Sequence, residues 1–181
     1  MVILDTGLAE VKILVPTRFA DARGSFFEVW RDEWLPLLPG ASSFVQDNHS
    51  LSGQSVLRGL HFQVDKPQGK LVRVVEGAIF DVAVDVRPGS STFGQWVGYE
   101  LSAGNGYQMW IPPGFAHGFY VLSQQAITLY KCTEYYDPTC ERAILWDDPT
   151  LAIEWPLLPG CEPLLSDKDA AASLLTELSG P

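Results

Sequence analysis

Glycine and proline punctuate the whole chain, 16 and 13 of them in 181 residues. They cut it into runs of about five to nine residues rich in β-branched and aromatic side chains. That pattern predicts an all-β sandwich or barrel, because strands alternate faces over short runs while sustained helical periodicity is scarce. Two places depart from it: Glu28 to Leu38 has room for a turn or two of helix, and Asp167 to Leu178 (DKDAAASLLTEL) reads as a short amphipathic C-terminal helix. Neither an internal repeat nor a low-complexity linker interrupts residues 1–181, so one domain is expected, with the stretch after Leu178 as a tail.

Twelve Lys and Arg against 22 Asp and Glu leave a net charge of −10. Binding along a nucleic-acid backbone needs a basic stripe, so nucleic acid is not an expected partner. A small anion remains compatible where a few Arg and Lys gather in a cleft. No run approaches the roughly 20 apolar residues of a membrane helix, and the first residues lack a basic segment followed by an unbroken apolar one. No membrane partner is expected, and the expected location is the cytoplasm. The three cysteines, Cys132, Cys140 and Cys161, have no Cys-x-x-Cys spacing and read as reduced structural thiols.

The segment KLVRVVEGAIFDVAVDV suggests a hairpin, with runs Lys70–Val75 and Ala78–Val86 on either side of a two-residue turn at Glu76-Gly77. That register pairs Val74 with Ile79, Val72 with Asp81 and Lys70 with Ala83. One face then holds Lys70, Val72, Val74, Ile79, Asp81 and Ala83, and the other Leu71, Arg73, Phe80, Val82 and Val84. A Lys and an Asp among small apolar groups are an odd choice for a plain core, since an unpaired buried charge costs several kcal/mol. Two apolar faces also mean that the outer one is covered, by another sheet or another subunit.

Of the three histidines, His49 reads as structural, while His61 (VLRGLHFQ) and His117 (WIPPGFAHGFYV) sit in apolar strand-like sequence. The spacing Gly106-x5-Pro112-x-Gly114-x2-His117 resembles the second conserved motif of the cupin superfamily, a small β-barrel. In metal-binding cupins the first motif supplies two His and a Glu. At the matching place this chain has His61 but Gln63 for the second His, and the Glu is missing. A neutral amide is a weak ligand for zinc, iron or copper, so no bound metal is expected. What remains is a base in His61, a cation for a developing oxyanion in Lys70 and a phenol in Tyr130. Such a kit suits proton abstraction beside a carbonyl followed by reprotonation, the chemistry of an epimerase or isomerase.

Ten segments, among them DARGSFFE, FVQDNHS, VLRGLHFQ, QGKLVRVVEGAIFDVAVDVR, WIPPGFAHGF, LYK and SDKDA, resemble in order the dTDP-4-dehydrorhamnose 3,5-epimerase family, over residues from about 10 to 175. The resemblance implies a cupin-type β-sandwich or jelly-roll barrel with a few short helices, one of them C-terminal. It also implies a homodimer with strand exchange, and an isomerase without cofactor or metal. The implied substrate is dTDP-4-dehydro-6-deoxy-D-glucose, inverted at C3 and C5 to dTDP-4-dehydro-L-rhamnose. A monoepimerase acting at one carbon of a related dTDP-4-keto-deoxysugar is the alternative.

In the family's pattern His61 is the base, Asp169 orients it, Lys70 stabilises the enolate oxygen and Tyr130 is the acid on the opposite face of the sugar. His117 and Asp81 shape the sugar pocket. Arg23 and Arg58, with Gln46, Asn48 and Glu28, hold the nucleotide, and Lys168 adds charge near the phosphates. Phe26 and Tyr136 stack on the thymine. Strict alternation would put Arg58 and His61 on opposite faces, and a bulge at Gly59 would bring them together.

Overall fold

A computed structural model describes residues 1–178; the tail expected after Leu178 lies outside the described residues. Thirteen strands run antiparallel in three sheets. In chain order they are β1 (Val2–Asp5), β2 (Lys12–Val15), β3 (Phe19–Asp21), β4 (Gly24–Phe26), β5 (Gln46–Gly53), β6 (Leu57–Gln63) and β7 (Lys70–Glu76). Then follow β8 (Ala78–Asp85), β9 (Trp96–Ser102), β10 (Gln108–Ile111), β11 (Phe115–Val121), β12 (Gln125–Cys132) and β13 (Glu141–Ala143). One sheet has the order β1-β2-β10-β7-β12-β5 and the other β13-β6-β11-β8-β9, while β3 and β4 form a small ribbon of their own.

The main core lies between the two large sheets. Ile13, Val72, Val74, Met109, Ile111 and Ala126 project from the first onto Ile79, Ala83, Leu101, Phe115, Phe119 and Val121 of the second. Each sheet is also covered on its outer face. Leu14, Leu71 and Trp110 pack under Leu38, Trp30, Trp34 and Phe44, carried by the segment with the 3-10 helix Asp32–Leu37. Leu60, Val82, Val84 and Ala116 pack under Ile144, Leu151 and Leu175 of the C-terminal segment. Apolar cover on both sides explains why the strand runs read as nearly continuous hydrophobic stretches.

The expected hairpin does not form. β7 pairs with β10 and β12, β8 with β11 and β9, and Glu76-Gly77 carries the chain from one sheet to the other. A two-residue type I′ turn needs positive φ at both central residues. Here Gly77 alone has it, at φ +75, and a Cβ there would lie 2.0 Å from the Gln125 carbonyl oxygen. The inner face is nevertheless shared: Val72 and Val74 meet Ile79 and Ala83 across the sandwich. The other grouping is overturned, because Leu71 packs on one outer surface and Val82, Val84 and Phe80 on the opposite one.

The C-terminal helix is also interrupted. Asp167–Ala170 forms α1 and Leu175–Leu178 forms α2, with Ser173 between them bridged to Ile144. Pairing with the barrel wins over helical continuity at that point. No helix among the described residues is long and apolar enough to cross a membrane.

Candidate active site

His61 and His117 are direct partners on neighbouring strands β6 and β11. From there to Arg58 and Phe119 the register slips, three steps on β6 against two on β11. The extra residue is accommodated at Gly59, whose φ is +103 and where a Cβ would stand 2.5 Å from the His117 carbonyl oxygen. Only glycine fits such an approach. The bulge turns Arg58 towards the interior edge, where its Nε donates to Ser52 Oγ of β5 at 2.9 Å. Its charge is felt by Tyr130.

Each histidine holds a carboxylate. His61 Nε2 lies 2.5 Å from Asp169 Oδ1, and His117 Nε2 lies 2.7 Å from Asp81 Oδ1. Asp169 is delivered by α1, whose N-cap Ser166 accepts from the Asp169 N–H and donates its hydroxyl to Asp169 Oδ2 at 2.8 Å. Burial pushes Asp169 up, yet the His61 hydrogen bond and charge, Ser166 and the Gly59 N–H together hold it below the usual carboxylate range. An ionised Asp169 accepts from Nε2–H, so the proton-accepting nitrogen of His61 is Nδ1.

Opposite stand β7 and β12. Lys70 is buried and in register with Cys132, while Tyr130 is in register with Asn48 and Val72. Burial pushes the Lys70 ammonium below its ordinary value, countered by the charges of Cys132, Glu141 and Asp81. The ammonium makes no hydrogen bond or ion pair among the described residues. Burial raises Tyr130, with Cys132 and Glu141 adding and Arg58 opposing, so its phenol keeps its proton through neutral pH. His117 is pushed down by burial, with Asp81 opposing and the charges of Lys70 and His61 contributing. His117 thus feels both Lys70 and His61, while Tyr130 shares the neighbours Cys132 and Glu141 with Lys70, and the four side chains form a cluster between the sheets.

Glu141, which no sequence motif marks, acts on three of them, His61, Lys70 and Tyr130. It stands 4.0 Å from His61 Nδ1, accepts from Tyr136 Oη at 2.8 Å and pairs with Lys168. Its carboxyl is pushed up by burial but held below the usual range by Lys168, Tyr136 and His61. A lone glutamate between Cys140 and Arg142 carries no signal in the sequence; only the pairing of β13 with β6 brings it to His61.

Tyr136 N–H also donates to Gln46 Oε1, Gln46 donates to Asn48 Oδ1, and Asn48 donates to Cys132 Sγ. Gln46, Asn48, Tyr136 and Lys168 are thus linked to the cluster by hydrogen bonds and an ion pair, and Arg58 acts on Tyr130. Arg23, Phe26 and Glu28 do not join it within one chain. Arg23 pairs with Asp21 of its own ribbon, Phe26 is 70% exposed beside Phe19, and Glu28 accepts from Arg31. The reason is topological, since β3 and β4 pair with each other and with no strand of either large sheet. His49 is exposed on β5 in register with Leu129, away from the cluster.

The model of the dTDP-4-dehydrorhamnose 3,5-epimerase family matches residues 5–177. The chain belongs to that family. It is 54% identical over 179 residues to the dTDP-4-dehydrorhamnose 3,5-epimerase of Salmonella typhimurium, covering 98% of this chain and 97% of that protein. The Neisseria gonorrhoeae protein of the same name is 56% identical over 171 residues; the alignment covers 94% of this chain but about half, 52%, of that longer relative. Among solved structures, the epimerase of Legionella pneumophila Philadelphia 1 in complex with dTDP-4-keto-L-rhamnose superposes with a TM-score of 0.92 at 54% identity. That superposition covers 96% of this chain and 92% of the other. The family membership, the antiparallel sheets and the short helices agree with the sequence reading.

Proposed function

We propose that this chain epimerises dTDP-4-dehydro-6-deoxy-D-glucose at C3 and C5, giving dTDP-4-dehydro-L-rhamnose, without a cofactor. The observation that carries the reading is that an imidazole and a phenol stand on opposite sheets. His61 belongs to the five-stranded sheet and Tyr130 to the six-stranded one, with Lys70 beside Tyr130 on the latter.

A sugar held between the sheets offers its C–H bond beside the C4 keto group to His61 Nδ1. Asp169 fixes the tautomer and favours the imidazolium that forms. The electron pair moves to O4, where the Lys70 ammonium stabilises the enolate. Tyr130 then returns a proton to carbon from the far side, and that change of side inverts the centre. His117 and Asp81 line the sugar end. Arg58 and Lys168 face the diphosphate, for which forked guanidinium donors are suited.

Arg23, Phe26 and Glu28 complete the nucleotide site of a neighbouring copy in a homodimer with strand exchange. Support for this comes from the ribbon itself, a solvent-exposed pair of strands carrying Phe19 and Phe26 at 65% and 70% exposure. Exposed aromatic rings side by side on such a ribbon are what a partner would cover.

The test is turnover of dTDP-4-keto-6-deoxy-glucose in deuterated water. Label at both C3 and C5 with formation of the L-rhamno product is expected. Label at one carbon reassigns the chain as a monoepimerase, and no label removes the epimerase reading.

A further inference from the structure

Gln63 lies on β6 two residues beyond His61, where the metal-binding form of the first cupin motif carries its second histidine. It is only 5% exposed, and both ends of its amide are engaged by main chain. Nε2 donates to the Lys66 carbonyl at 2.8 Å and to the Tyr135 carbonyl at 3.4 Å, while Oε1 accepts from the Asp137 N–H at 2.9 Å. Two donors and an acceptor are what a primary amide offers and a neutral imidazole does not.

The strap held this way, residues 135–137, carries Tyr136. The Tyr136 phenol donates to Glu141, Glu141 stands 4.0 Å from His61 Nδ1, and Glu141 is the register partner of Gln63 itself. Amide, strap, phenol and carboxylate therefore form a closed circuit around one edge of the site. The other side-chain ties on the strap, Lys66 and Thr139 to Asp137, the Tyr135 N–H to Glu134 and the Tyr136 N–H to Gln46, are solvent-exposed and compete with water, and the Asp137 carbonyl is held besides by the Cys140 N–H.

We propose that Gln63 is a positioning residue for nucleotide-sugar binding: its amide fixes the 135–137 strap and so sets Tyr136 and Glu141 beside His61. This rests on Tyr136 being part of the nucleotide-sugar pocket. Gln63 touches neither base nor acid, so its loss weakens binding more than it slows chemistry.

The experiment compares Gln63→Met, which keeps the bulk and loses the hydrogen-bonding ends, with Tyr136→Phe and the double variant. Gln63→Met is expected to raise the Kd for dTDP and the KM about 10-fold, with kcat reduced less than about 3-fold. In the double variant the loss is smaller than the product of the single losses, because both act through one contact. The Asp137 amide exchanges faster with solvent in Gln63→Met than in the wild type. Should Gln63→Met fail to fold, Gln63→Glu, which lacks the donors at neutral pH, is read in the same way. Unchanged dTDP affinity, or single effects that multiply in full, overturns the proposal. Both dTDP binding and amide exchange are read without turnover. A chain that fails to epimerise but loses dTDP affinity as described would therefore sink the epimerase reading and leave the role of Gln63 standing.

Discussion

The molecule contains two histidine–aspartate pairs of nearly equal geometry and unequal circumstance. In His61–Asp169 the imidazole side chain is 27% exposed, and the carboxylate arrives from a helix with Ser166 and the Gly59 N–H satisfying it further. In His117–Asp81 the side chains are 8% and 0% exposed, both on neighbouring central strands, and Asp81 Oδ2 has no hydrogen-bond partner among the described residues. A group that takes a proton from substrate and passes it to solvent must reach both. A ring almost wholly buried, and pushed towards its neutral form by that burial, suits a fixed polar wall of the sugar pocket. In the proposed mechanism similar pairs thus do different work through access alone.

The largest expected contrast between the pairs is chemical. His61→Ala should abolish deuterium exchange at both carbons, a loss on the order of 10²–10⁴-fold or more, while His117→Asn retains exchange at both. Loss of exchange in His117→Asn with activity surviving in His61→Ala would reverse the assignment of the two pairs. Next in size, Tyr130→Phe should keep exchange at a reduced rate and lose inversion, visible by NMR as label without the L-rhamno product. Full inversion by that variant removes the phenol from the mechanism.

The alkaline limb of kcat sharpens the comparison of the two walls. Lys70 is held below its ordinary value and Tyr130 above its own, so as pH rises the Lys70 proton leaves earlier, and the Tyr130 proton later, than in a free side chain. Lys70→Arg, which keeps its charge at all working pH, should therefore move the alkaline limb upward whatever its cost in rate. A limb that stays in place points to another group.

The smallest effect concerns stability. The buried His117 has a folded value below its ordinary 6.5, so the unfolded chain binds the extra proton first as pH falls. Its contribution is present above about 6.5 and is lost as pH drops through the folded value. Denaturant midpoints measured from pH 7.5 down to 5 should fall less in His117→Asn than in the wild type. Asp81→Asn should cost roughly 1–3 kcal/mol of stability at neutral pH by disturbing a buried hydrogen bond to a charged group.

Much of this was legible in the chain because it depends on local order. The alternation of Lys70, Val72 and Val74, and of Ile79, Asp81 and Ala83, put them on one shared face, and Val72, Val74, Ile79 and Ala83 do meet in the inner core, since alternation survives whichever strand lies next door. Gly59 signalled the bulge because two side chains needed on one side were separated by an odd step. That β7 and β8 part into different sheets was not legible, because a Glu-Gly step serves a hairpin and a sheet-to-sheet corner alike until Gln125 closes on it. Glu141 was invisible for a similar reason, as were the spent amide ends of Gln63.

The sequence by itself determined the strand-rich architecture, the inventory of base, cation and phenol, and the family, because periodicity and ordered motifs are properties of a line of residues. Tertiary structure decided which strands became neighbours, that His61 faces Glu141 while His117 is almost wholly buried, and that the β3–β4 ribbon stands clear of the barrel. Those outcomes depend on contacts between residues far apart in the chain, where burial sets the charge state of each group, and no local pattern encodes how deeply a side chain will be covered.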